Sequence, residues 1–178
     1  LEGVPVEAIY SSPLERCRQT IAPFARERGL AVRARRGLLE VDYGEWTGRT
    51  ISQLRRTKQW RVVQRTPSAA RFPGGESLLE VQARAVAELD SIAAAHPKGS
   101  VVVVTHADVI RLLVAHLAGM HVDHLQRLVV DPASVTAVAL ADGIARLVKV
   151  NDTGGLDALR PRKPRLKQRS GSRVPRLK

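Results

Sequence analysis

The spacing of apolar residues along the 178-residue chain changes period several times, and each change predicts an element. VEAIYSS, residues 6–12, reads as a short strand ending in a turn, and the following SPLERCRQTIAPFARERG reads as a helix. There Ser12 is the expected N-cap, Pro13 the first helical residue, Glu15 the capping-box partner and Gly29 the C′ residue. LAVRARRG predicts the next strand, and LLEVDYGEWTG, with mixed polarity and glycine turns, predicts a loop. From Ile51 through Trp60 and Val62 the pattern fits a short helix, bounded by Pro67 and Pro73. The clearest helix follows PGGES: Ser77 caps it with Glu80, and Leu78, Val81, Ala85, Leu89 and Ile92 form its apolar stripe before Pro97. SVVVVTHADVIRLLVAHLAGM predicts a strand covered on both faces and then another helix. LQRLVVD, SVTAVALAD and IARLVKVND read as three further strands separated by turns. Early alternation of strands with helices and a late antiparallel-looking run predict an α/β fold, three-layer α/β/α, with a mostly parallel mixed central sheet.

Composition changes this picture in two places. The formal net charge is +12, but residues 157–178 carry nine Lys/Arg and one Asp without any apolar period. The expected organisation is therefore one domain over 1–156 and a basic, disordered tail over 157–178, in weak nonspecific contact with polyanions at most. Residue 1 is Leu and the sole methionine is Met120, so an N-terminal segment is expected to be missing. Cys17, the single cysteine, excludes an intrachain disulfide, and with no signal pattern the expected location is cytoplasmic. No apolar run approaches the roughly 18 residues of a membrane helix, so no membrane insertion is expected.

The strongest candidate for chemistry is His106, an imidazole at the end of a buried strand and just before a helix that Asp108 can cap. The first turn of that helix, opening at Ala107, offers N–H groups and a favourable field for phosphate, with Arg111 one turn on. Arg16 and Arg18 in the helix after SSP form a possible phosphate fork. Glu40, beside Asp42 and Glu45, is a candidate general acid whose pKa anionic neighbours would raise. Surface pairs and solvated acidic loops look the same in isolation, so no one of these residues decides the matter. No serine has nucleophile-elbow surroundings. His121, Asp123 and His124 lack a zinc-binding spacing, and neither a metal nor another cofactor is expected.

Taken in order, SSPLERCRQT, LLEVDYGEWTG, FPGGESLLEVQARA and VVVTHADVIRLL resemble the signatures of the histidine phosphatase, or phosphoglycerate-mutase-like, superfamily. The chain is most similar to an actinobacterial group labelled phosphomutases, over roughly residues 1–159. The resemblance implies a phosphate pocket in which Arg16 clamps the phosphate, Glu40 donates a proton, and His106 with Ala107 binds the phosphoryl group, His106 adding positive charge. It also implies a nucleophilic histidine in an R-H-G sequence on a first, central strand. No R-H-G occurs here, so that strand is expected to be absent and the chain as written to be inactive and poorly stable. For the intact protein the resemblance implies a metal-independent phosphomonoester hydrolase working through phosphohistidine. The alternatives are a phosphomutase and a noncatalytic remnant or basic-tail binding module. The implied partner is a small phosphorylated metabolite, with a homodimer as a possible assembly.

Overall fold

The computed structural model describes residues 1–154 except Glu2 and Asp142, so the basic tail lies outside the described residues. Strand β1 (Val6–Ser11) lies between β2 (Val32–Ala34) and β3 (Ser100–Val104), parallel to both. Past an irregularity between Val6 and Ala8, β1 alternates and sorts its side chains onto two faces. Ile9 packs with Ile21 and Ala25 of helix α1 (Glu15–Arg28), while Ala8 and Tyr10 pack with Leu38 and with Ile92 of helix α4 (Leu78–Ala95). Helices thus cover both sides of the parallel sheet, as the expected α/β class requires.

The larger apolar core lies beyond α4. Helix α5 (Ala107–Leu117) packs on α4 through Val109, Leu112 and Leu113, and Val41, Trp46 and Phe72 fill the space between loops. Above them sit two short helices, α2 (Ile51–Leu54) and α3 (Lys58–Arg65), in place of the single helix expected there. Thr50 and Thr57 each accept a hydrogen bond from the backbone N–H three residues on, so the segment has two N-caps and restarts at the second.

Three further expectations change. The parallel and antiparallel strands are hydrogen-bonded as separate sheets, β2-β1-β3 and a hairpin of β4 (Val135–Ala141) with β5 (Ile144–Asp152), rather than as one mixed sheet. The four valines of β3 are therefore only half-buried: both faces are covered, but among the described residues β3 pairs with β1 alone. LQRLVVD is not a strand; Val122–Arg127 forms a 3₁₀ helix because Val122 and Leu125, three residues apart, are both buried beneath it. Finally, α1 starts at Glu15 instead of Pro13. Its N-cap is Leu14, without a side-chain cap; the Ser12 hydroxyl accepts the Leu14 N–H (3.3 Å), ahead of the helix, and also meets His106.

Two loops meet backbone to backbone below the sheet ends. Glu45 N–H donates to Pro73 O (2.9 Å) and Glu76 N–H to Asp42 O (3.0 Å). A Cβ on Gly75 would lie 2.2 Å from Asp42 O, so the approach depends on glycine. Gly75→Ala should cost about 1 to 3 kcal/mol, as overpacking does, and lower Tm by roughly 2 to 4 °C per kcal/mol. A thermal unfolding midpoint unchanged from wild type would show that the loops separate freely.

Candidate phosphate site

Because β1 and β3 are parallel, their C-terminal ends lie side by side, with Ser11 opposite Val104 and Ser12 N–H donating to Val104 O at 2.8 Å. This brings Ser12, Arg16 in the first turn of α1, and His106 at the N-cap of α5 to one point at the sheet's carboxyl edge. His106 is buried, at 5% exposure. Arg16 donates to its Nδ1 from Nε (3.2 Å) and Nη2 (2.9 Å). Guanidinium nitrogens are obligate donors, so Nδ1 is the acceptor and Nε2 carries the proton, which it donates to Ser12 Oγ at 2.8 Å. The imidazole is held neutral: burial, and then the nearby charges of Arg16 and Arg84, push its pKa down to about 4. The positive charge expected at this position is therefore not carried by His106 near neutral pH.

Glu40 approaches the same point from the loop after β2. Its Oε2 lies 3.9 Å from Arg16 Nη2 and 3.7 Å from His106 Nδ1. Burial, followed by the charge of Asp108, raises its pKa to about 7 despite an N–H donated by Val41. Between about pH 4 and pH 7 both His106 and Glu40 are thus predominantly uncharged, and Arg16, 42% exposed at its side chain, supplies the cation facing solvent. Ala107 is the first residue of α5 and exposed, so its amide stands at the N-terminal position where a helix has no acceptor of its own. A cleft of about 570 Å³ adjoins Glu40, lined also by Leu14, Arg36, Leu39, Asp42 and Arg84.

Several residues to which sequence reasoning gave no part hold this arrangement. Arg84 on α4 donates to the carbonyls of Gly37 (2.9 Å), Leu39 (2.7 Å) and Glu40 (3.0 Å) and grips both carboxylate oxygens of Glu76. Thr105 Oγ1 donates to Leu38 O at 2.7 Å, tying the end of β3 to the same loop. Asp108, expected to cap α5, instead accepts from Tyr43 OH (2.8 Å) and Arg111 (3.0 Å). Cys17 Sγ lies 3.6 Å from His106 Nε2 and 3.7 Å from Thr105 O, and burial raises its pKa. Arg18 is exposed and takes no part. His121 and His124 pair their rings beyond the far end of α5, an eleven-residue helix about 16 Å long from His106. Among the described residues no group of three or more His, Cys, Asp or Glu could hold a metal ion, and no helix is long and apolar enough to cross a membrane.

The Glu40 shift has a stability consequence. Its pKa in the fold is raised above the ordinary 4.5, so the stability it confers is fully present below pH 4.5 and is lost as pH rises through about 7. Glu40→Gln removes that dependence and should gain on wild type by on the order of 2 kcal/mol between pH 5 and pH 8. Denaturant unfolding at the two pH values measures it, and a gap that does not widen would place the Glu40 pKa near its ordinary value.

The site can be set against known proteins. A family model described as the histidine phosphatase superfamily (branch 1) matches residues 1–153. Phosphoserine phosphatase 1 of Hydrogenobacter thermophilus is 28% identical over 150 residues, covering 83% of this chain and 71% of that protein. A bifunctional protein of Mycobacterium tuberculosis is 32% identical over 158 residues, 85% of this chain but 42% of the mycobacterial protein. Among solved structures, Bacillus stearothermophilus YhfR matches with a TM-score of 0.80 at 27% identity, covering 85% of this chain and 77% of its own. Mycobacterial glucosyl-3-phosphoglycerate phosphatase in complex with inorganic phosphate matches with a TM-score of 0.73 at 28% identity, covering 82% of this chain and 77% of its own. With the motifs in order and almost the whole described chain matched, the chain belongs to the histidine phosphatase superfamily, branch 1.

Proposed function

We propose that this chain carries the phosphate-holding and proton-donating parts of a phosphomonoester hydrolase site that works through phosphohistidine. The observation that carries the reading is the buried Glu40 carboxyl, titrating near pH 7, within 4 Å of both Arg16 and His106. A phosphate ester entering here meets the Arg16 guanidinium and the N–H groups of α5 at Ala107. Its negative charge favours protonation of His106, which then changes from acceptor to donor and adds a positive charge. Glu40 gives its proton to the leaving alkoxide as the P–O bond breaks.

The family resemblance implies as nucleophile the histidine of an R-H-G sequence, which does not occur among these 178 residues. Both nitrogens of His106 are engaged, by Arg16 and by Ser12. His96 is bonded to Tyr10 and Glu7, and His116, His121 and His124 lie toward or beyond the far end of α5. In the intact protein that histidine forms the N–P bond, and water then breaks it, releasing phosphate. Arg16, a protonated His106 and the helix supply charge stabilisation without requiring a metal. The relatives named for phosphoserine and glucosyl-3-phosphoglycerate support a small phosphorylated metabolite as substrate.

Calorimetric titration with inorganic phosphate tests the assignment. The 178-residue chain should bind phosphate, and Arg16→Gln should weaken binding about tenfold to a hundredfold, the worth of a charged hydrogen bond. The same chain should release no phosphate from simple esters. Turnover by this chain alone would move the nucleophile to one of its five histidines, and unchanged affinity in the Arg16 variant would remove Arg16 from the pocket.

A further inference from the structure

From Trp46 to Gly75 the chain has seven basic residues and no acidic one. The rest of the first 156 residues holds 13 basic and 16 acidic side chains, so the positive excess of the folded part comes from this one segment. Arg71 is neutralised by Glu80. The other six, Arg49, Arg55, Arg56, Lys58, Arg61 and Arg65, are all exposed, and no side chain among them has a hydrogen bond or ion pair with a described residue.

Their placement is ordered. On α3, Lys58, Arg61 and Arg65 stand at i, i+3 and i+7, which puts them on one face, while Val63 is buried and Trp60 half-buried on the other. The helix is anchored by stacking of Trp60 on Trp46 (6.0 Å between ring centres), and Trp46 packs edge-on against Phe72. The stripe is about 10 Å long. Along a duplex each strand places a phosphate roughly every 3.4 Å of helix axis, and the stripe is long enough to meet more than one phosphate of a strand. Arginine predominates, and its fork fits phosphate oxygens better than an ammonium does.

From this the geometry points to α2–α3 as a docking surface for the phosphate backbone of a nucleic acid, separate from the pocket at Arg16. A lipid surface fits less well. Membrane-binding helices present large apolar side chains beside their cations, and no exposed large hydrophobic residue lies between 46 and 75. A small phosphate ester fits less well too, because six cations spread from Arg49 to Arg65 are more than one phosphate group can engage.

The test uses the full 178-residue chain and a fluorescein-labelled single-stranded oligonucleotide, with anisotropy followed across a salt series. Arg55→Gln, Arg61→Gln and Arg65→Gln together should reduce the slope of log affinity against log salt by about 2, with the unfolding midpoint unchanged. The equivalent triple change Arg162→Gln, Arg165→Gln and Arg169→Gln serves as a charge-matched control, and photocross-linking of the unaltered chain to an iodouracil oligonucleotide locates the contact. Cross-links within 49–65, lost in the first variant and kept in the second, support the surface. A slope that responds only to the second variant, cross-links confined beyond residue 154, or binding to phosphatidylserine vesicles but not to the oligonucleotide would each overturn it.

Discussion

The site depends on one guanidinium. Arg84 reaches from the second turn of α4 into the loop after β2 and meets three consecutive-region carbonyls, of Gly37, Leu39 and Glu40, while its other edge faces Glu76. A loop that exposes several carbonyls on one side cannot fold inward unless donors meet them. Arg84 is the group that does so. Burial disfavours the Glu76 anion, yet Arg84 and the Asp42 N–H hold its pKa below the ordinary range, so the pair stays charged and the loop closed. Removing Arg84 would leave the Glu76 charge half-buried beside unpaired carbonyls, the costly way to break such a network.

Fixing the backbone of Glu40 in this manner is what allows its side chain to be an acid. A flexible carboxylate would turn to water or form a closer ion pair with Arg16, and its pKa would fall. Held 3.9 Å from Arg16 and buried, it keeps its proton near neutrality. Burial first, and then the charges of Arg16 and Arg84, keep His106 unprotonated. Burying two charged groups of the same sign without an anion would be costly, and the neutral imidazole avoids that cost by accepting from Arg16.

Much of this was legible in the sequence where the cause is local. The Ser77–Glu80 capping box forms as read, because both partners lie within one turn. Four unalternating valines ending in a histidine located the carboxyl edge of the sheet, because that pattern belongs to a strand flanked on both faces. What could not be read depends on partners distant in sequence. Ser12 has every local mark of an N-cap, yet the helix begins at Glu15: its hydroxyl accepts the Leu14 N–H ahead of the helix and is shared with a histidine 94 residues away. Arg84 sat within a recognised motif but carried no role, since its carbonyl acceptors lie 44 to 47 residues upstream.

Averaging over a sequence hides the local order of its charge. Dividing the first 156 residues at Glu45 and Glu76 separates a wholly basic segment from a slightly acidic remainder. Only the fold decides whether that division has physical meaning. Screening at physiological salt acts over about 8 Å, so cations scattered over a surface act independently while those on one helix face share a field. Lys58, Arg61 and Arg65 are brought within that range by the 3.6-residue turn of α3, and the Trp46–Trp60 stack fixes which face of the helix is turned outward. The aromatic core that seats the loop of Glu40 thereby also orients the charge on α3, and Phe72 joins the two by packing against Tyr43 as well as Trp46.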